Sequence, residues 1–180
     1  AGGLPYLIDQ LLNAGLLHED VMTIMGPGLH NFTRQAVLTE GTVGYAPAPK
    51  QSLNDKILRP VSDPFQASGG LQNLTGNLGS AVVKISAVAE ERRFIEAPAA
   101  VFHSQDAVKK AFQSGALNRD VIVVVRYQGP SANGMPELHN LTPFLAILQD
   151  RGHQVALVTD GRMSGASGKV PAAIHLSPEA

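Results

Sequence analysis

The residues best suited to chemistry stand in two segments of the second half of the chain. The first runs Arg126-Tyr127-Gln128-Gly129-Pro130-Ser131-Ala132-Asn133-Gly134-Met135-Pro136-Glu137-Leu138-His139. Glycines and prolines constrain its path, and Glu137 stands near its end. A carboxylate at a constrained position suits a hard cation such as Mg²⁺, because its oxygens are placed before the metal arrives. A carboxylate is also common at the entry to a helix, so residue type alone leaves both readings of Glu137 open. The second segment runs Thr159-Asp160-Gly161-Arg162-Met163-Ser164-Gly165-Ala166-Ser167-Gly168-Lys169. Its three glycines free the backbone to approach a ligand and to turn N–H groups toward an anion. Ser164 and Ser167 add hydroxyls, and Arg162 and Lys169 add cations. That mixture suits a carboxylate or phosphate; the alternative is an ordinary flexible turn.

Familiar glycine motifs do not fit. A phosphate-cradling Walker loop needs glycine where Met163 stands and Ser or Thr where Val170 stands. A dinucleotide fingerprint beginning Gly26-Pro27-Gly28 fails at Asn31. Asp160, Ser164 and a distant histidine could imitate a hydrolase triad, but no Gly-x-Ser-x-Gly elbow carries the serine. The histidines are scattered and form no metal-spaced pair, although His139 is a near neighbour of Glu137.

The elements that must position these loops follow from pattern. Val121 to Val125 is an apolar β-branched run, read as a strand buried on both faces. Gln154 to Thr159 reads as a second strand, and Ala81 to Val88 as another. Ser104 can cap a helix bearing Ala107, Val108, Ala111 and Phe112 on one face, with Gly115 as its stop. Thr142-Pro143 opens a further helix that Gly152 ends. Lys169 to Leu176 is a third apolar stretch, which Pro171 confines to an edge or a bulge. This alternation of strand and helix predicts an α/β unit with its site at the loops leaving the strand ends. Upstream, Leu4, Leu7, Ile8, Leu11 and Leu12 mark one face of a helix ended near Gly15, and Val21 to Met25 reads as a short second helix. From about Asn31 to Gly79 prolines and glycines interrupt the pattern, which reads as a connecting segment with a boundary near residue 56.

The chain has 180 residues, 44% hydrophobic and 16% charged, enough for a core with a modest polar surface. Net charge is -1 and no basic run stands out, so there is no footprint for nucleic acid. With no cysteine, this chain can offer no disulfide, thiol nucleophile or cysteine-ligated cluster. No apolar run approaches a membrane span, and the N-terminus has no signal-peptide pattern, so a cytoplasmic location is expected. Both ends read as cut from a longer protein.

Several of these segments resemble one family. Arg126 to Pro130, Ala132 to Glu137 and Thr159 to Gly165 are similar to the C-terminal signatures of the dihydroxy-acid and 6-phosphogluconate dehydratases. Gly76-Asn77-Leu78-Gly79 resembles the entry to that family's second domain, and Ala1 to Ile8 the end of its first. The stretches Asn133 to His139 and Gly165 to Pro171 look closer to the 6-phosphogluconate branch than to the branched-chain one.

The resemblance implies a swivelling, barrel-like β/α domain over residues 57–180, preceded in residues 1–56 by trailing helices of the family's α/β cluster-binding domain and a linker. It implies removal of water from 6-phospho-D-gluconate to give 2-dehydro-3-deoxy-6-phosphogluconate, in the Entner–Doudoroff pathway. It makes Ser164 the base at C2, acting as an alkoxide, and Glu137 a Mg²⁺ ligand. An iron–sulfur cluster of the 4Fe-4S type would be the Lewis acid, with ligands in the domain outside this chain. Asn77, Ser167 and Lys169 become candidates for the substrate's carboxylate or phosphate. Partners implied are a small sugar-acid phosphate, the missing N-terminal domain and a second copy in a homodimeric parent. This chain alone is then expected to bind no cluster and not to turn over. The rivals are a dihydroxy-acid dehydratase of branched-chain amino-acid synthesis and a non-catalytic anion-binding domain.

Overall fold

The computed structural model describes residues 1–86, 88–164 and 169–180. It divides into two compact units, Ala1–Ala67 and Ser68–Ala180.

In the first unit, helix α1 spans Gly3–Asn13. Gly15, at φ 68°, ends it, and the Gly15 and Leu16 N–H groups return to the carbonyls of Leu12 and Leu11 at 2.9 Å. Its one fully buried side chain is Tyr6, while the expected leucine stripe is half-buried and Leu4 is exposed. Residues Val21 to Met25 are not helical. Met22–Thr23 (β1) pairs with Gly26–Pro27 (β2) in a tight hairpin. Gly26 at φ 98° and Pro27 cannot continue a helix, and Thr23 Oγ1 donates to the Gly26 carbonyl at 2.6 Å. The segment read as a connection also contains a regular antiparallel hairpin, Arg34–Thr39 (β3) with Thr42–Pro47 (β4). Its loop is Glu40-Gly41, both at positive φ, the backbone that a two-residue hairpin requires.

The second unit is α/β. Strands β5 (Leu71–Gly76), β6 (Gly79–Lys84) and β7 (Ala99–Phe102) are followed by helix α2 (Gln105–Gln113) and strand β8 (Val121–Val125). Then come the short helix α3 (Pro130–Asn133), helix α4 (Thr142–Asp150), and strands β9 (Val155–Thr159) and β10 (Ala172–Ser177). The sheet order is β5-β6-β10-β9-β8-β7, with β7 to β10 parallel and β5 and β6 antiparallel, so β5 and β7 form its two edges. Ser104 caps α2 by accepting the Ala107 N–H at 3.2 Å, and Gly115 and Gly152 follow α2 and α4 at positive φ.

The core lies on one face of this sheet. Val121, Val123, Val125, Val155 and Leu157 are fully buried there against Val108 of α2 and Leu145 and Leu148 of α4. The alternate residues Ile122, Val124, Ala156 and Val158 are only half-buried. The expectation that β8 is closed on both faces is therefore corrected. The second face borders an apolar cleft of about 420 Å³ lined by Leu74, Ile85, Val88, Ile122, Ala156 and Val158. Pro171 also behaves differently from expectation. It stands just before β10, where no strand N–H is needed, and its carbonyl accepts the Leu157 N–H at 2.9 Å. β10 is thus an interior strand, and its irregularity falls between Ile174 and Ser177, around His175 at φ 55°.

Candidate active site

Strands β8 and β9 run parallel with Val125 opposite Thr159, so the two glycine-bearing loops leave the same end of the sheet side by side. Several contacts tie them together. Asp160, buried, accepts the N–H groups of Tyr127 and Gln128 at 3.1 and 2.9 Å. Gly161 packs so closely on the first loop that a Cβ there would lie 2.7 Å from Gln128 Cβ. Arg162 and Glu137 form a short parallel β-bridge, and the Arg162 Nε donates to the Met135 carbonyl at 3.0 Å. Met163 points into the core, with its sulfur accepting from the Thr142 hydroxyl at 3.5 Å. Alternation along the segment then turns Arg162 and Ser164 outward, and both are exposed.

Glu137 and Ser164 meet. The Ser164 N–H donates to both carboxylate oxygens of Glu137, at 2.9 Å to Oε1 and 3.1 Å to Oε2. Oε1 also accepts the His139 N–H at 2.9 Å, and the Arg162 guanidinium lies 3.5 Å from Oε2. From below, Gln105 Nε2, at the start of α2, donates to the Glu137 carbonyl at 3.1 Å. The Ser164 hydroxyl beside the carboxylate, the Ser164 and His139 N–H groups and the Arg162 charge together hold the Glu137 pKa below its ordinary value, against a smaller opposing effect of burial. A half-buried carboxylate, an exposed primary hydroxyl and an exposed guanidinium thus share one patch at the strand ends. Such a patch can bind an anion and, if the hydroxyl ionises, accept a proton.

The other candidates are placed differently. Asn77 occupies the two-residue turn between β5 and β6 and is exposed. Because β6 runs antiparallel to β10, this turn lies at the same end of the sheet as the two loops. A Cβ at Gly79 would fall 1.9 Å from the Ser177 carbonyl oxygen, so that turn packs tightly on the end of β10. Lys169 is not gathered with Glu137 and Ser164. Its Nζ pairs with Asp150 Oδ1 at the last residue of α4, whereas Met163 touches Thr142 at the first. The length of α4, about 12 Å at 1.5 Å per residue, separates those two contacts. Ser167 lies outside the described residues. Sequence reasoning gave Asp160 and Gln105 no role in the site. The buried Asp160 could have been suspected as the one acid following a buried strand directly, but Gln105 carries no signal beyond its place after a capping serine.

Residues 56–180 match the family model described as dihydroxy-acid/6-phosphogluconate dehydratase C-terminal. The chain belongs to this family. Over its whole length it is 61% identical to a phosphogluconate dehydratase of Pseudomonas aeruginosa and 54% identical to one of Escherichia coli K12. A dihydroxy-acid dehydratase of Koribacter versatilis is more distant, at 35%. The chain spans about 30% of the length of these relatives. The α/β unit with its six-stranded mixed sheet is consistent with an α/β C-terminal domain of this family.

The two inorganic groups that the sequence resemblance implies, an iron–sulfur cluster and Mg²⁺, meet different donor sets in this chain. Without cysteine, the chain has no thiolate to hold an iron–sulfur cluster. For Mg²⁺ the fit is limited to one ligand. Among the described residues no group of three His, Cys, Asp or Glu side chains comes together. Glu137 keeps part of its lone-pair capacity beside three N–H contacts, and Mg²⁺ commonly uses one or two carboxylates with water and substrate oxygens. No helix among the described residues is long and apolar enough to cross a membrane.

Proposed function

We propose that the chain is the C-terminal part of a 6-phosphogluconate dehydratase, a hydro-lyase that converts 6-phospho-D-gluconate to 2-dehydro-3-deoxy-6-phosphogluconate, the Entner–Doudoroff step. The observation that carries the reading is the pairing of Ser164 with Glu137 at the exposed strand ends, in a chain 61% identical to a phosphogluconate dehydratase.

Ser164 is the base. Its hydroxyl oxygen takes the proton from C2, the C3–O bond breaks, and hydroxide departs; the resulting enol tautomerises to the 2-keto acid. Two obstacles must be met. Serine is a weak acid, and the adjacent Glu137 carboxylate opposes its ionisation further. Arg162, 3.5 Å from Glu137, offsets part of that charge. A hard cation with Glu137 as one ligand would reverse the local sign, favouring the serine alkoxide and neutralising the substrate carboxylate. Hydroxide is a poor leaving group, and nothing on this chain can take it as a Lewis acid. That duty belongs to the domain outside it, as a 4Fe-4S cluster in this reading. The Asn77 turn, at the same sheet end, is available to a substrate oxygen. Ser167 joins it as a candidate by sequence position. The reading carries with it a homodimeric parent and a cytoplasmic location.

The second reading, dihydroxy-acid dehydratase, has only the more distant relative in its favour. Turnover of 6-phosphogluconate and of dihydroxyisovalerate by the full-length protein separates the two. The proposal requires a preference for the phosphorylated substrate. Equal or reversed preference rejects it. The 180-residue chain alone should contain no stoichiometric iron and show no dehydratase activity.

A further inference from the structure

Asp160 is 4% exposed and takes no part in the chemistry above. Its Oδ1 accepts the Gln128 N–H at 2.9 Å, and its Oδ2 accepts the N–H groups of Tyr127 and Ala180, each at 3.1 Å. No ion pair engages it among the described residues, so these backbone donors are what hold the carboxylate there. Turning two successive N–H groups onto one carboxylate bends the chain sharply. Tyr127 accordingly adopts φ 59°, a left-handed conformation unfavourable for a side chain of its size. The strain lies at the start of the loop that ends in Glu137.

Arg162 holds the other end of that loop. Its Nε donates to the carbonyl of Met135, which is also left-handed at φ 58°, and its own carbonyl accepts the Leu138 N–H at 3.2 Å. Between the two grips, Gly161 lets the segments touch: an added Cβ would lie 2.7 Å from Gln128 Cβ and 3.1 Å from Leu138 Cδ1. Asp160-Gly161-Arg162 therefore clamps the loop at both ends, and Ser164 follows two residues later.

The geometry points to Asp160 as a positioning residue: by anchoring residues 127 and 128 it sets the Glu137 carboxylate where the Ser164 N–H reaches it. This rests on the reading of Ser164 and Glu137 as the working pair. Aspartate suits the task because each of its two oxygens is an acceptor. Asparagine has one acceptor oxygen, and its NH₂ would face an N–H, so it must release Gln128 or the other two donors.

The test uses the full-length protein, with Asp160→Asn, Asp160→Glu and Ser164→Ala variants. Amide hydrogen exchange is followed in segments 126–139 and 160–164, and kcat and KM are measured well below the melting temperature of each variant. Asp160→Asn is expected to exchange faster in both segments and to lose kcat roughly 100-fold, with KM changed less than about threefold. Asp160→Glu keeps the charge but shifts its oxygens by one methylene, and a smaller change in the same direction is expected; it also serves if the asparagine variant does not fold. Wild-type exchange in the two segments, or wild-type kcat in the folded variants, overturns the proposal. Near-normal turnover by Ser164→Ala would instead reject the assigned base, while the exchange data would still decide whether Asp160 anchors the loop.

Discussion

The Ser164 N–H points at the middle of the Glu137 carboxylate, 2.9 Å from one oxygen and 3.1 Å from the other, although the residues belong to loops after different strands. The bond uses the serine's backbone, not its hydroxyl. It can hold the residue in place whether or not the hydroxyl is ionised, which is what a serine base requires.

Replacing Ser164 by alanine keeps that backbone bond and removes the hydroxyl, which is both the proton acceptor and a group that helps hold the Glu137 pKa down. In the full-length protein, kcat for 6-phosphogluconate should fall about 10²- to 10⁴-fold, the range for loss of a positioned base. KM should change little, because the Arg162 guanidinium beside Glu137 remains. Steady-state kinetics measure both. A parallel loss in kcat and a large rise in KM would mean that the hydroxyl binds substrate instead.

The depressed pKa of Glu137 links this clasp to pH. Because the folded-state value lies below the unfolded one, the stabilisation is fully present above the ordinary carboxylate range. It is lost as pH falls through the lower, folded value. Thermal melts of wild type and Glu137→Gln at stepped pH should differ near neutrality and converge as pH falls through the lowered folded value. A constant difference between the two across that window would show that the charge on Glu137 contributes nothing to the clasp.

Much of the second unit was legible because its signals are local. The β-branched run Val121–Val125, the capping Ser104 and the stops at Gly115 and Gly152 each determine their own element through backbone sterics or a single hydrogen bond. The first unit was less legible for the same reason in reverse. Pro47, Pro49 and Pro60 dominate the pattern of the connecting stretch and mask the alternation that pairs β3 with β4, although Glu40-Gly41 was a usable turn signal. Val21 to Met25 has helical spacing, but Gly26 and Pro27 decide the outcome. At the site, Glu137 and Ser164 could be named from residue type and family resemblance. Their contact could not, because it runs through a main-chain N–H that every residue carries. Asp160 was overlooked in this role for the same reason: its partners are three backbone donors with no side-chain signature.

Gly161 tests how tightly the two loops must fit. Alanine there would place a methyl group 2.7 Å from Gln128 Cβ, closer than real contacts come, and 3.1 Å from the Gln128 carbonyl oxygen, tighter than most. Since Gln128 is itself buried, the loops would have to part. Gly161→Ala should cost about 1–3 kcal/mol, as overpacking does elsewhere. Activity should fall with it, because Glu137 and Ser164 lie just beyond the contact. Denaturant melts and kinetics of the variant check both effects, and an unchanged midpoint would mean that the loops can separate at no cost.

Lys169 distinguishes family resemblance from position in the fold. Sequence placed it among the substrate cations, yet its ammonium pairs with Asp150 at the far end of α4 from the Met163–Thr142 contact. Both partners are exposed, so the pair is worth about 0–1 kcal/mol. If this arrangement persists in the working enzyme, Lys169→Ala changes KM for 6-phosphogluconate less than about twofold and Asp150→Asn behaves alike, since truncating either partner removes only a surface ion pair. If the loop instead leaves Asp150 when substrate binds, Lys169→Ala raises KM about tenfold or more while Asp150→Asn lowers it, because releasing the lysine makes it more available. The opposite signs for the two variants make the pair of measurements decisive, and wild-type KM in both would remove Lys169 from the substrate site.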